Sequence, residues 1–495
     1  MKKAILCALF ICFAWEVIAA GTYVFDAPCR QAYQDIMSLK INSGQQLVNK
    51  AREQNPNNLI PGLLQGYIDF FVLFFNEDPA EYKMRKEGIE NRIDDFKDGS
   101  EASPYYKYCL SVAYLQKAMI AIKFNERFTA FLAFKKAFSY IKDNRKAHPD
   151  FLPNNMIYAP MQVIAGVIPD GYKGIAGFLG IKGSVNGGMT TMRGFINSSN
   201  PEAHFFFNEA AFYYCYLLFY IQNQSAEAFT FIKQNNLDVV NNHLFAYMTA
   251  NLALNSKQAE YSKTIISNRN RSPDYLDIPL WNYEMAFIKL DHLELSEAAA
   301  LFETFLRTFK GNFYLKDAYQ KLSWCYYLQG NTTAASKARQ LLLKRGNTIS
   351  DADKQAYREA KANTYPNPLL LKARLLNDGG YNKEALQMLI GKTTAAFTEP
   401  EEKLEFNYRV GRVYDDLGRN EEAVQAYNAT IALGKNSAEY FASRAALQTG
   451  LIYEREGNRQ QAIRYYQMCL GMGDHDYKDS IDQKAKAGIA RCKGE

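Results

Sequence analysis

Residues 411–431, GRVYDDLGRNEEAVQAYNATI, and residues 450–470, GLIYEREGNRQQAIRYYQMCL, carry one pattern twice at identical spacing. In the first copy it runs Gly411-x2-Tyr414-x3-Gly418-x4-Ala423-x3-Tyr427-x3-Ile431. In the second it runs Gly450-x2-Tyr453-x3-Gly457-x4-Ala462-x3-Tyr466-x3-Leu470. Steps of three and four residues place these side chains on one face of a helix. Gly418 and Gly457 fall where a first helix stops, because glycine adopts the left-handed conformation that ends it. The stretch predicts a helix–turn–helix unit, repeated.

One such pair leaves an apolar face bare, so it must stack on the next pair. The small residues Gly411 and Ala423 mark where the two helices of a pair approach closely, and Tyr414 and Tyr427 supply the large surfaces around them. Weaker copies precede the clear ones. Ala228 with Phe229, Ala298 with Phe302, Ala335 after Gly330, and Ala385 after Gly380 hold the second-helix slot. Residues 350–368, with Pro366 and Pro368, read as a break between two blocks, and residues 478–492 as a closing helix whose Lys484, Lys486 and Arg491 face water. The expected fold is all-α, an α-solenoid with an irregular Gly-rich central segment.

The Gly-x2-Tyr…Ala-x3-Tyr pattern resembles a tetratricopeptide repeat (TPR), with Val410-Gly411 in its Leu-Gly slot. Asn407 and Ala446 stand where that repeat has its first aromatic, and the copies start 39 residues apart rather than the usual 34 or so. Leu322-Ser323-Trp324-Cys325-Tyr326-Tyr327, the turn Gly180-Ile181-Lys182-Gly183, and the closing Asp476-Tyr477…Ala485…Ala487 helix are more loosely similar to the tetratricopeptide-repeat protein 39 family. That likeness implies shared architecture. The resemblance to the repeat implies a superhelical surface for protein or peptide partners.

The chain begins with Lys2-Lys3, an apolar run from Ala4 to Trp15, and Val17-Ile18-Ala19-Ala20, which read as a secretory signal cleaved after Ala19 or Ala20. Cys29 behind Asp26-Ala27-Pro28 is a poor context for lipid attachment. The expectation is an exported protein of the periplasm or cell envelope, from a Bacteroidetes-type bacterium on composition. Its regions are residues 1–20 (signal), 21–150 (helical), 151–200 (Gly-rich), 201–350 (degenerate pairs) and 351–495 (clear repeats and cap). The apolar stretches 59–75 and 205–221 are interrupted by Gln65, Asp69, Asn208 and Glu209, so they predict core helices, with no membrane span once the signal is removed. One amphipathic helix is expected over residues 31–55, and two more over 105–122 and 128–141.

A net charge of +6 on 495 residues, without a Lys/Arg block, excludes nucleic acid as the partner. Six cysteines follow the signal: Cys29, Cys109, Cys215, Cys325, Cys469 and Cys492. Most sit in apolar helical patterns and are expected to be free; a Cys29–Cys492 bridge would have to join the two ends. Nine of the thirty glycines lie between Gly166 and Gly194, with Gly171, Gly174, Gly177, Gly180 and Gly183 spaced by three. This is neither collagen nor a phosphate loop. It predicts two short helices packed closely, with a tight turn at residues 182–188. The alternative is a ligand pocket walled by Phe178, Leu179 and Ile181.

His148, His204, His243, His292 and His475 stand at no metal-ligand spacing, and no nucleophile motif occurs. Asp474-His475-Asp476 with Asp479 reads as a solvated turn and helix cap. Glu399-Pro400-Glu401-Glu402, with Glu405 beyond, reads as a helix start. No catalytic, metal or cofactor site is expected. The sequence predicts a non-catalytic exported scaffold binding a cell-envelope protein or peptide, or else a glycan or lipid binder at the Gly-rich segment.

Overall fold

The computed structural model describes residues 20–167, 182–475 and 477–494. The signal segment, Gly171 to Gly180, Phe178, Leu179, Ile181 and Asp476 lie outside the described residues. Within them are 25 α-helices, a π turn at Leu217–Ile221 and a 3-10 turn at Thr394–Ala396. The only sheet-like pairings among the described residues are two isolated bridges, Gly21 with Gly99 and Thr22 with Asn58. No described helix is long and apolar enough to cross a membrane. The fold is all-α.

The chain forms two compact units. The first comprises the chain to Phe74, Pro79–Leu217 and Ser272–Leu276; the second comprises Phe75–Asp78, Leu218–Arg271 and Asp277 onward. The first holds α1 (Ala27–Met37), α2 (Ile41–Gln54), most of α3 (Ile60–Asn76), α4 (Pro79–Lys97), α5 (Pro104–Lys123), α6 (Arg127–Ala147), α7 (Pro153–Gly166), α8 (Val185–Ile196), α9 (Pro201–Phe205) and α10 (Phe207–Tyr216). The second begins with α11 (Ser225–Gln234), α12 (His243–Leu254), α13 (Ala259–Asn268), α14 (Leu280–Asp291), α15 (Leu295–Thr308), α16 (Leu315–Leu328), α17 (Thr332–Lys344) and α18 (Asp351–Ala362). It ends with α19 (Pro368–Gly379), α20 (Asn382–Leu389), α21 (Pro400–Asp416), α22 (Asn420–Gly434), α23 (Phe441–Arg455), α24 (Arg459–Leu470) and α25 (Lys478–Lys493). In the second unit the pairs α12/α13, α14/α15 and α16/α17 stack in turn and α18 packs on α16 and α17; α19 packs on α14, and from there the pairs α19/α20, α21/α22 and α23/α24 stack up to α25, as in a TPR-like solenoid.

One turn geometry builds both units. Eight turns that join the two helices of a pair share a residue at positive φ: Leu39, Asn125, Lys257, Leu293, Gly330, Gly380, Gly418 and Gly457. At each, the following residue donates its N–H to the carbonyl five positions back, over 2.7–2.9 Å. This is the hydrogen bond that closes a helix C-terminus. Seven residues before the turn stands a small buried residue: Ala32, Ala118, Ala250, Ala286, Ser323, Ala373, Gly411 or Gly450. Five residues after it stands another: Gly44, Ala130, Ser262, Ala298, Ala335, Ala385, Ala423 or Ala462. Small residues at these two offsets let the helices of a pair close on each other without overpacking. A ninth turn, at Asn223, keeps Ala228 five residues on, but its bond reaches from Gln224 back to Leu218, because the π turn adds a residue.

The structure departs from the expectation at four places. Residues 31–55 form two helices, α1 and α2, broken where Leu39 takes φ 60°. The break assigned to residues 350–368 contains α18, capped by the Ser350 hydroxyl, which accepts from the Asp353 N–H at 3.1 Å. The polar helix α4 and the pair α12/α13 were not anticipated. The pair escaped notice because its turn residue is Lys257 and its small residue is Ser262, both unlike the Gly and Ala of the clear copies.

Around the Gly-rich segment, α7 and α8 pack closely, as the glycines require. A Cβ on Gly183 would lie 2.2 Å from the Gly166 nitrogen, and one on Gly188 would lie 2.5 Å from a Val163 methyl. The six cysteines are buried free thiols. At the C-terminus, Lys484, Lys486 and Arg491 of α25 are exposed, while Ile481, Ala485 and Cys492 are buried.

Candidate binding face of the second unit

The ten motif residues go into helix packing. Ala423, Tyr427, Ala462 and Tyr466 are fully buried. Gly411 faces the Tyr427 ring and Gly450 faces the Tyr466 ring. The Tyr466 ring is held between two glycines, since a Cβ on Gly450 or on Gly488 would each lie 2.5 Å from it. Both buried phenols point their hydroxyls at carboxylates: Tyr427 donates to Asp415 at 3.2 Å, and Tyr466 donates to Glu454 at 2.5 Å. Tyr414 and Tyr453 are only partly buried; Arg419 lies 4.6 Å over the Tyr414 ring, and Tyr453 stacks on Tyr465. Gly418 and Gly457 hold φ of 73° and 77° with nothing near their missing Cβ.

Beside these packing residues runs a face of a different character. The residue immediately after the small one of the first helix is Trp324 in α16, Arg374 in α19 and Arg412 in α21. Lys321 lies 4.1 Å over the Trp324 ring and Arg374 lies 5.4 Å from the same ring. Arg409 takes Glu405 through two nitrogens at 2.8 and 2.9 Å, with its guanidinium 5.4 Å from the Tyr408 ring. Arg444 of α23 lies 5.6 Å over Tyr440, which packs edge-on against Tyr477. Arg358 of α18 lies 5.1 Å over that same Tyr477 ring. Thus α16, α18, α19, α21 and α23 each contribute a cation beside an aromatic ring.

Charge on this face is poorly matched. Arg374 reaches Asp378 only at 3.4 Å, and Arg412 reaches Asp416 and Asp415 only at 3.6 and 3.8 Å. Those two acids are already held by closer cations, Asp416 by Lys257 at 2.5 Å and Asp415 by Arg455 at 2.6 Å. Burial works against the Arg374 charge, yet Asp378, Tyr440, Glu359 and Glu405 hold its pKa above the usual value. Burial also raises the Tyr408 phenol, but Arg412, Arg444 and Arg409 outweigh it and pull the phenol below its usual range. Asp291, buried in α14, is pushed well up by burial and by the neighbouring Asp378 charge.

Other polar groups are closed off. In the first unit Glu209 is buried and accepts hydrogen bonds from Tyr33 at 2.6 Å, Tyr67 at 2.9 Å and Tyr213 at 2.8 Å. A cavity of about 210 Å³ lined by Tyr82, Lys86, Glu90, Lys117 and Glu126 has its lysines paired, Lys86 to Glu126 at 2.9 Å and Lys117 to Glu90 at 2.5 Å. His475, expected in a solvated turn, is buried instead, its Nε2 2.6 Å from the Ser443 hydroxyl, so the loop is tied into the core. Asp479 does lie in the first turn of α25. Among the described residues no three His, Cys, Asp or Glu side chains come together as a metal site.

Sequence reasoning passed over Trp324, Arg374 and Arg412 although a signal for them existed. Each stands six residues before a turn glycine, and so follows the small packing residue by one. A helix turns about 100° per residue, which carries Arg374 and Arg412 to the edge of the packing seam, while Trp324 stays buried.

No family model matches the chain, and no curated protein matches it. Solved structures similar to it include the P58(IPK) TPR domain, 12% identical over 83% of this chain and 96% of that one, with a TM-score of 0.23. Another is the APC/C hetero-tetramer Cut9-Hcn1, 10% identical over 92% and 95% of the two chains, with a TM-score of 0.28. At such scores the superpositions carry no weight, and the TPR-like character of the fold rests on its own turns and helix pairs.

Proposed function

We propose that this chain is a non-catalytic exported scaffold that holds a protein or peptide segment of the cell envelope on the face that carries Arg374 and Arg412, with Trp324 buried beneath it. The observation that carries the reading is the row of cations set beside aromatic rings, where Arg374 holds only Asp378, at 3.4 Å, and Arg412 reaches no carboxylate nearer than 3.6 Å. Arginine and aromatic side chains are the residues that anchor interfaces, and a guanidinium left without a short partner favours a carboxylate brought by a ligand. Stacked helix pairs offer extended surfaces for such segments.

The test is site-specific photo-crosslinking in the source cell envelope from the exposed position 358, against a control at position 132 in the first unit. A discrete adduct at 358 that disappears in R374Q/R412Q is the expected result. Equal labelling from both positions, or an adduct indifferent to the double variant, would sink it. Export is tested separately by the mass of the N-terminus in fractionated cells, where a chain retaining residues 1–20 in the cytoplasm would refute it.

A further inference from the structure

Charge is spread unevenly along the chain. Residues 104–167, which build α5, α6 and α7 of the first unit, hold nine Lys and Arg against three acids, a balance of +6 that equals the whole chain's. Of those acids, Glu126 is neutralised by Lys86 at 2.9 Å. The outward side of α6 concentrates the excess. At steps of three and four residues it presents Phe128, Leu132, Lys136, Ser139, Lys142 and Lys146, all exposed, with Asp143 as the stripe's one acid. Among the described residues these three lysines make no ion pair; Lys136 lies 5.0 Å over the Tyr114 ring.

The first two turns of that stripe are apolar. Phe128 is 76% exposed and Leu132 40%. Ile122, also exposed, sits across the α5–α6 turn, where its carbonyl accepts from the Asn125 N–H at 3.1 Å. Helix α7 runs back along α6, with Ala165 packed on Phe131 and Phe134, and its end exposes Ile164 and Val167. Exposed apolar side chains thus collect at one end of a basic helix.

Single apolar side chains in water are ordinary, whereas several at one end mark an interaction site. A second copy of this chain would set like charges face to face. An anionic bilayer meets both halves of the stripe: its headgroup phosphates attract lysines, and its acyl boundary takes up Phe and Leu side chains. The stripe is roughly 27 Å long, enough to lie along such a surface.

We propose that the outward stripe of α6, with the α5–α6 turn and the end of α7, is a docking face for an anionic lipid surface. Phe128 and Leu132 enter the headgroup layer, and Lys136, Lys142 and Lys146 rest on its phosphates. No residue of the second unit takes part, so this face and the scaffold reading stand or fall separately.

The experiment floats the purified chain lacking residues 1–20, whose apolar run would itself enter lipid, with two kinds of vesicle: mixed phosphatidylglycerol and phosphatidylcholine, and phosphatidylcholine alone. Binding to the mixed vesicles only is expected, and it should fall as salt rises. Lys142→Gln/Lys146→Gln should weaken it about 25-fold, at about fivefold per cation. Phe128→Trp supplies a second readout. Its emission should shift to the blue on the mixed vesicles, whereas that of Ile390→Trp, exposed in the second unit, should not. Every substituted position is exposed, so thermal melts should stay unchanged. Equal binding to the two kinds of vesicle, or a Phe128→Trp emission that the mixed vesicles leave unmoved, would overturn the proposal. A discrete protein adduct from a photo-crosslinker at position 132 would also overturn it, by assigning the face to a protein partner.

Discussion

A Cβ placed on Gly411 would fall 2.6 Å from two carbons of the Tyr427 ring, and Tyr427 is fully buried with its hydroxyl on Asp415. The contact sets the spacing of α21 and α22. Gly411→Ala is therefore expected to cost about 1–3 kcal/mol, because neither the ring nor the helix backbone has room to give. Equilibrium denaturation of the variant measures it, and an unchanged midpoint would mean the pair tolerates a wider separation.

Gly418 poses a different demand. It has open space around it and a φ of 73°, so its requirement is conformational alone. Gly418→Ala should cost about 1–2 kcal/mol, from the left-handed backbone. The reverse change at the equivalent Asn125, exposed at φ 59°, is expected to stabilise by a few tenths of a kcal/mol up to about 1 kcal/mol. Thermal melts of the two single variants should move in opposite directions.

Lys257 reaches from the α12–α13 turn to α19 and α21, three and four pairs further along. Its ammonium donates to Asn377 at 3.0 Å and to Asp416 at 2.5 Å, and it is about one quarter exposed. Lys257→Met should destabilise the second unit by about 1–3 kcal/mol, between the exposed and the fully buried ion-pair cases. Hydrogen exchange should rise at residues 377–381 before it rises elsewhere in α19.

Glu284 of α14 is 3% exposed, and burial pushes its pKa up to about 7, partly offset by the hydrogen bond from Asn251 at 2.8 Å. The folded state thus keeps this proton at a pH where the unfolded chain has released it. Stability contributed by the group is full below about pH 4.5 and is lost as pH rises to about 7. Glu284→Gln keeps an acceptor for Asn251 and removes the titration. It should raise stability by roughly 3 kcal/mol above neutrality and change little near pH 4. A gain that is the same at both pH values would show that the effect is packing alone.

The six thiols give a simple accessibility test. All are buried and free, and burial raises those of Cys29, Cys109, Cys215, Cys325 and Cys469 well away from thiolate. These six should resist alkylation in the native protein, and the denatured chain lacking residues 1–20 should take up six labels without prior reduction. A label count that rises from four to six only after a reductant would reveal a disulfide instead.

The helix pairs were legible in the sequence wherever glycine marks the turn, at Gly330, Gly380, Gly418 and Gly457. They were hidden where Leu39 or Lys257 takes the same positive φ, since those residues give no local signal for it. Helix–helix packing there overrides a backbone preference of about 1–2 kcal/mol. The candidate face was less visible, because its members come from separate helices and are ordinary Arg, Lys and Trp until folding brings them together. Only the offset from the turn unites Trp324, Arg374 and Arg412, and that offset has meaning once the turn residues are known.

The backbone contact at Gly380, where a Cβ would lie 2.0 Å from the Lys257 carbonyl oxygen, joins α19/α20 to α12/α13 across two intervening pairs. A stack that touches only its neighbours behaves as a spring, lengthening or tightening as each joint gives a little. Here the coil is stapled to itself, so its rest length is fixed within the second unit. A partner meeting this surface encounters a gauge of set width, to be matched in shape before any charge is exchanged.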